Sequence, residues 1–206
     1  VRCHTFISES TFGLPIYRWR PERDIVADIR AWWDANRAAG KTSVLFAYAL
    51  GKAQRILAGL VPCEAPVLVH GAVARFLPHY AAAGIEMPAT RPADLDAAKE
   101  TRGEALVIAP PSAFGTTWLR KFKPCATAFA SGWMTVRGPR RRRGVDRGFA
   151  LSDHADWDGL LRTIEATEAD EIGVTHGYTG PLVRWLTERG KRAYALPTRF
   201  EGEVEE

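Results

Sequence analysis

Cysteine, methionine and long apolar runs are scarce in this chain of 206 residues. Its three cysteines, Cys3, Cys63 and Cys125, lie far apart, and no Cys-x-x-Cys occurs. An odd, dispersed set argues against a disulfide framework. It fits reduced, buried thiols and a cytoplasmic setting. No apolar run approaches the roughly 18–20 residues that span a bilayer, so no membrane partner is expected. The start, Val1-Arg2-Cys3-His4-Thr5, has neither an initiator Met nor a signal-peptide pattern and reads as the start of a fragment. There is no internal repeat, and low complexity is confined to one arginine run.

What is present is globular. Hydrophobic residues make up 46% and charged residues 25%, with seven Trp and nine Phe to fill a core. That length suits one ordinary domain or two small ones. The net charge of +4 is mildly basic and compatible with nucleic acid.

Residues 2–8 read as a strand, and residues 23–39 as a helix with Ile25, Ile29, Trp32 and Trp33 on one side. A strand–helix rhythm follows. Strands are expected at Ser43–Ala49, Pro66–His70, Ala105–Ala109 and Ala126–Ala130, with helices at Gly51–Leu60, Ala72–Ala83 and Thr116–Phe122. Residues 137–147, with six arginines and two glycines, break the rhythm. It resumes with strands at Gly148–Leu151, Ile172–Thr175 and Arg192–Leu196 and helices at Asp156–Ala166 and Pro181–Arg189. Such alternation predicts an α/β fold with a mostly parallel sheet. Four segments are expected: 1–14, an inserted domain over 15–145, 146–200 and an acidic tail, 201–206.

In parallel α/β sheets, ligands bind beyond the carboxyl ends of the strands. Glu9, His154 and His176 each follow a predicted strand. The strand–helix–strand connection from His154 to His176 predicts one shared sheet edge, on neighbouring strands. His4 inside the first strand, His70 at a strand end without an acidic neighbour, and His79 in a helix are expected to be structural or exposed.

Ser8-Glu9-Ser10-Thr11-Phe12-Gly13 resembles the acidic motif opening the β-CASP region of metallo-β-lactamase superfamily nucleases. Ser152-Asp153-His154-Ala155-Asp156 resembles the second motif of that family, and Val174-Thr175-His176-Gly177 the third. Phe46-Ala47-Tyr48-Ala49-Leu50-Gly51-Lys52-Ala53-Gln54 resembles the start of its inserted domain. Within the family, Phe149–Trp157 and Ser10–Pro15 look most like bacterial DNA-ligase-associated exonucleases. The resemblance implies the C-terminal part of such a protein: a partial metallo-β-lactamase αββα sandwich with an inserted β-CASP domain. It implies two zinc ions that generate a hydroxide to attack a phosphodiester, with His176 as a metal ligand. Glu9 and His154 are implied as a catalytic pair at the scissile phosphate. The signature His-x-His-x-Asp-His is absent from all 206 residues, so the isolated chain is expected to be inactive.

Arg140, Arg141, Arg142 and Arg143, with Arg137 and Arg147, read either as a phosphate-binding loop or as a solvated one. Ser152 is a further candidate for substrate binding. Gly51-Lys52 after a strand lacks the glycine spacing and Ser/Thr of a Walker loop, although a backbone anion site at that helix start stays open. The expected function is metal-dependent DNA cleavage, exonucleolytic, in repair, with DNA and a DNA ligase as partners. The alternatives are an RNA-processing nuclease of the same family and a non-catalytic nucleic-acid-binding module.

Overall fold

The computed structural model describes residues 1–136 and 144–197. The elements run β1 (Thr5–Ser10), α1 (Glu22–Ala38), β2 (Thr42–Phe46), α2 (Lys52–Gly59), β3 (Val67–Val69), α3 (Gly71–Ala74), α4 (Leu77–Ala82), β4 (Thr90–Pro92) and α5 (Leu95–Glu100). They continue with β5 (Leu106–Ala109), β6 (Cys125–Ala130), β7 (Arg147–Phe149), α6 (Trp157–Ala166), β8 (Glu171–Gly177), α7 (Thr179–Thr187) and β9 (Arg192–Ala195). Short 3-10 segments lie at Pro111–Ala113, Thr117–Phe122 and Gly132–Thr135. The chain divides into two compact units. One comprises Val1–Trp19 with His154–Glu206, the other Arg20–Asp153. Residues 15–19 thus group with the first unit and 146–153 with the second.

The second unit is built on a six-stranded sheet of order β4-β3-β5-β2-β6-β7, and every pairing in it is parallel. Central strands β2 and β5 are apolar runs because helices cover both faces. Leu45, Leu106 and Ile108 pack with Ile29, Trp33, Ile56 and Leu57 of α1 and α2. On the opposite face Val44, Phe46 and Val107 meet Ala97 and Ala98 of α5 and Phe122. Each large side chain buried there contributes about 1.5–3 kcal/mol. Helix α1 follows from Ile25, Val26, Ile29 and Trp33 recurring on one face, with Glu22 and Asp24 in the first turn and Arg37 in the last. A charge in place of the fully buried Ile29 would break that packing.

The helix expected over residues 72–83 is two short ones, because Pro78 stands in the first turn of α4 and donates no hydrogen bond. Edge strand β4 and helix α5, whose cap Asp94 accepts from the Ala97 amide at 2.8 Å, are additional to the expected elements.

The first unit carries a parallel sheet of order β1-β8-β9. Phe6, Ile172, Val174 and Ala193 face Trp157, Leu160 and Ile164 of α6 and Leu182 and Leu186 of α7. On the other face Ile7, Gly173 and Tyr194 stand in register across the three strands. Helix α6 starts where the Asp156 carboxylate accepts from the Gly159 amide at 2.8 Å.

Three expectations are corrected here. Strand β1 begins at Thr5, leaving His4 outside it, and runs through Ser10, so Glu9 lies within the strand rather than after it. Strand β8 likewise extends through His176 to Gly177. His154 and His176 do not follow neighbouring strands: β7 pairs with β6 in the larger sheet, while β8 pairs with β1 and β9. The reason is burial, since Phe149 and Leu151 are committed to the core of the second unit.

Candidate functional site

Strands β1 and β8 run side by side with Glu9 opposite Thr175 and Ser10 opposite Gly177, so His176 is the extra residue of a bulge. Its backbone is left-handed, with φ 52°, and Gly177 follows at φ 76°. A histidine in this region costs of order 1 kcal/mol, a strain that clusters at functional sites. Glycine is required at the next position, because a Cβ there would collide with the backbone of Ser10 and Thr11.

Ser10 holds the bulge. It is 0% exposed, and its hydroxyl donates to the His176 carbonyl. Its own carbonyl accepts from the amides of Gly13 at 2.9 Å and Tyr178 at 2.8 Å. The exposed His176 ring places Nδ1 2.9 Å from Thr175 Oγ1. With Nδ1–H donating to that hydroxyl, the lone pair of the neutral ring lies on Nε2, the orientation a metal ligand needs.

Glu9 and His154 are in contact: Glu9 Oε1 lies 3.3 Å from His154 Nδ1. The other carboxylate oxygen of Glu9 accepts from the Thr11 amide at 2.6 Å. The acid is therefore fixed from both sides. The His154 segment is clamped by Trp19, whose indole Nε1 donates to the His154 carbonyl at 3.0 Å and whose amide donates to Asp156 at 2.9 Å. Phe12 packs edge-on against both Trp19, at 4.9 Å, and His154, at 5.9 Å. Tyr17 and Tyr178 stack beside them at 5.9 Å. No sequence signal pointed to the clamp by Trp19; for Ser10 and Thr175 the one signal is their place inside the quoted motifs.

Ser152 belongs to the second unit and is 5% exposed; its carbonyl accepts from Arg55 at 2.7 Å. Beside it, Lys52 is 3% exposed and pairs with Asp153 at 3.3 Å. Burial pushes the Lys52 ammonium below the usual lysine value, and the Asp153 carboxylate opposes that shift. Arg140, Arg141, Arg142 and Arg143 lie outside the described residues. Among the described residues, no three His, Cys, Asp or Glu side chains gather to hold a metal ion. No helix among them is long and apolar enough to cross a membrane.

No family model matches the chain. The chain is similar to a protein from Opitutus terrae named "Probable DNA ligase", with 34% identity over 190 residues. The match covers 92% of this chain and 18% of that protein.

Proposed function

We propose that this chain is part of a metal-dependent nuclease that cleaves DNA during repair, of the β-CASP metallo-β-lactamase type, with a DNA ligase as partner. The observation that carries the reading is the Glu9–His154 pair, on a strand whose neighbour presents the strained His176. With Nδ1 held by the carboxylate, Nε2 is the ring atom that would donate to a phosphate oxygen or protonate a departing one. Glu9, at 3.3 Å from Nδ1, fixes the tautomer and orientation of the ring. The relative's name supports DNA rather than RNA as the substrate class.

The expected pair of zinc ions does not fit the described residues alone. His176 offers one nitrogen, whereas a catalytic zinc takes three protein ligands. In this reading His176 is one ligand of a centre completed by other residues of the whole protein. That same shortfall favours the second reading, a nucleic-acid-binding module without catalysis.

The test is paired. In the complete protein, His176→Ala lowers bound zinc per chain. His154→Ala keeps the zinc and slows single-turnover DNA cleavage about 10²–10⁴-fold. Reversed outcomes exchange the two roles. No effect of either substitution on zinc or rate removes the nuclease reading, and matched DNA and RNA strands decide the substrate.

A further inference from the structure

Strands β3 and β5 are adjacent and parallel, and both end at the same edge of the six-stranded sheet. His70 follows β3 directly, and its amide donates to the Ile108 carbonyl of β5 at 2.9 Å. The segment after β5 returns over this edge as the 3-10 stretch Thr117–Phe122. It sets Trp118 against His70, ring centroids 5.0 Å apart and edge to face. Lys121 then lies with Nζ 4.8 Å from the centre of the Trp118 ring and 5.3 Å from that of Phe122.

The protonation of His70 is set by its backbone. Nδ1 accepts from the Ala72 amide at 3.0 Å, capping α3. The proton of the neutral ring is therefore on Nε2, which is a donor. Lys121 is also a donor, and no carboxylate lies within ion-pair distance of it among the described residues. The acid whose charge acts on it, Asp94, is already engaged in capping α5. Burial pushes the His70 imidazole below its usual value, and the Lys121 charge pushes it further. Burial likewise lowers the Lys121 ammonium. Two partly desolvated donors thus repel one another beyond the carboxyl ends of parallel strands, where such sheets bind ligands. An anion between the two donors offsets that repulsion with its charge.

We propose that His70 Nε2 and Lys121 Nζ, both packed against the Trp118 indole, grip one phosphate of a single DNA strand. The inference rests on the DNA reading above and adds a contact remote in sequence from Glu9, His154 and His176. The Lys121 ammonium covers a Trp118 face, so the contribution goes to the phosphate and not to a stacked base. Binding at this point is blind to sequence and sensitive to salt.

The experiment measures binding of a short labelled oligothymidylate to the complete protein by anisotropy over a salt series. Lys121→Gln weakens affinity about tenfold and reduces the slope of log affinity against log salt by about 0.7, while Lys121→Arg keeps both near the parent values. His70→Asn, which retains an acceptor for the helix cap, weakens binding in the same direction. On the unsubstituted protein, the oligonucleotide shifts the His70 imidazole proton resonances, and inorganic phosphate shifts them in the same sense at higher concentration. That measurement decides the matter even if a variant fails to fold. Firm binding that ignores both substitutions and leaves the His70 resonances unmoved overturns this site alone. No binding of DNA by the complete protein overturns the DNA reading together with it.

Discussion

The indole Nε1 of Trp19 donates a 3.0 Å hydrogen bond to the backbone carbonyl of His154, 135 residues further along the chain. The bond fixes the peptide from which the His154 ring projects toward Glu9. Replacing Trp19 by Phe keeps an aromatic body against Phe12 and removes the donor. The expected stability loss is about 1 kcal/mol. The expected loss in single-turnover cleavage by the complete protein is about 10- to 100-fold, because small misplacements of a reacting group are costly. A rate that stays at the parent value would show that the clamp does not position His154.

The bulge at His176 predicts opposite responses at two adjacent residues. Gly177→Ala introduces a Cβ into the backbone of Ser10 and Thr11 at a positive φ, and should cost about 2–4 kcal/mol in denaturant unfolding. His176→Gly relaxes a left-handed residue. In metal-free protein it should raise stability by up to about 1 kcal/mol while bound zinc is lost from the complete protein. Destabilisation by His176→Gly in the metal-free state would mean that the ring, through Thr175, outweighs the strain.

The Lys52–Asp153 pair should behave asymmetrically. Asp153→Ala leaves a nearly fully buried ammonium without its carboxylate and should cost about 3 kcal/mol. Lys52→Met replaces that ammonium with an apolar chain of similar length, while Asp153 keeps Arg55 at 3.5 Å. Its cost should be less than half as large. Chemical unfolding of the two variants and the double variant gives the comparison, and equal costs would contradict it.

His70 supplies a pH dependence. Its folded value is lowered from the ordinary histidine value of about 6.5 by burial, then by Lys121. Between the folded value and about 6.5, the unfolded chain binds more protons than the folded one. Stability is therefore fully present above this window and falls as the pH drops through it. In His70→Asn the slope of unfolding free energy against pH should flatten there. An unchanged slope would assign the acid sensitivity to other groups.

The apolar runs of β2 and β5 were legible because strands buried on both faces leave no other pattern. The Pro-containing, exposed Thr90-Arg91-Pro92 of β4 was not, since an edge strand needs few apolar residues. The alternation of elements announced parallel α/β sheets, but not that β7 and β8 belong to different ones, because pairing partners leave no mark on a single sequence. At the candidate site, the sequence put Glu9, His154 and His176 after strands, whereas Glu9 and His176 lie in the last residues of β1 and β8. It did not indicate the left-handed backbone of His176 or the Trp19 clamp, which depend on main-chain geometry. Gly51-Lys52 suggested an open anion site, yet Lys52 is buried against an aspartate far away in the chain.

The discontinuity of the first unit fixes an order of events during synthesis. Strand β1 is synthesised before β8 and cannot pair with it until β8 emerges, since Thr5 waits for Glu171 and Ser10 for Gly177. The segment Arg20–Asp153 is contiguous and has its whole sheet available well before then. Domains emerging at about 5–20 residues per second fold as units, N-terminal material first. Here β1 precedes that segment in the chain but meets β8 only after it. Closing so long a loop adds little entropy cost once the intervening segment has folded, because that cost grows only logarithmically with length. Strand β1 is therefore without its β8 partner while the segment between them is made, and the β1–β8 pairing is the step of this unit most exposed to mispairing.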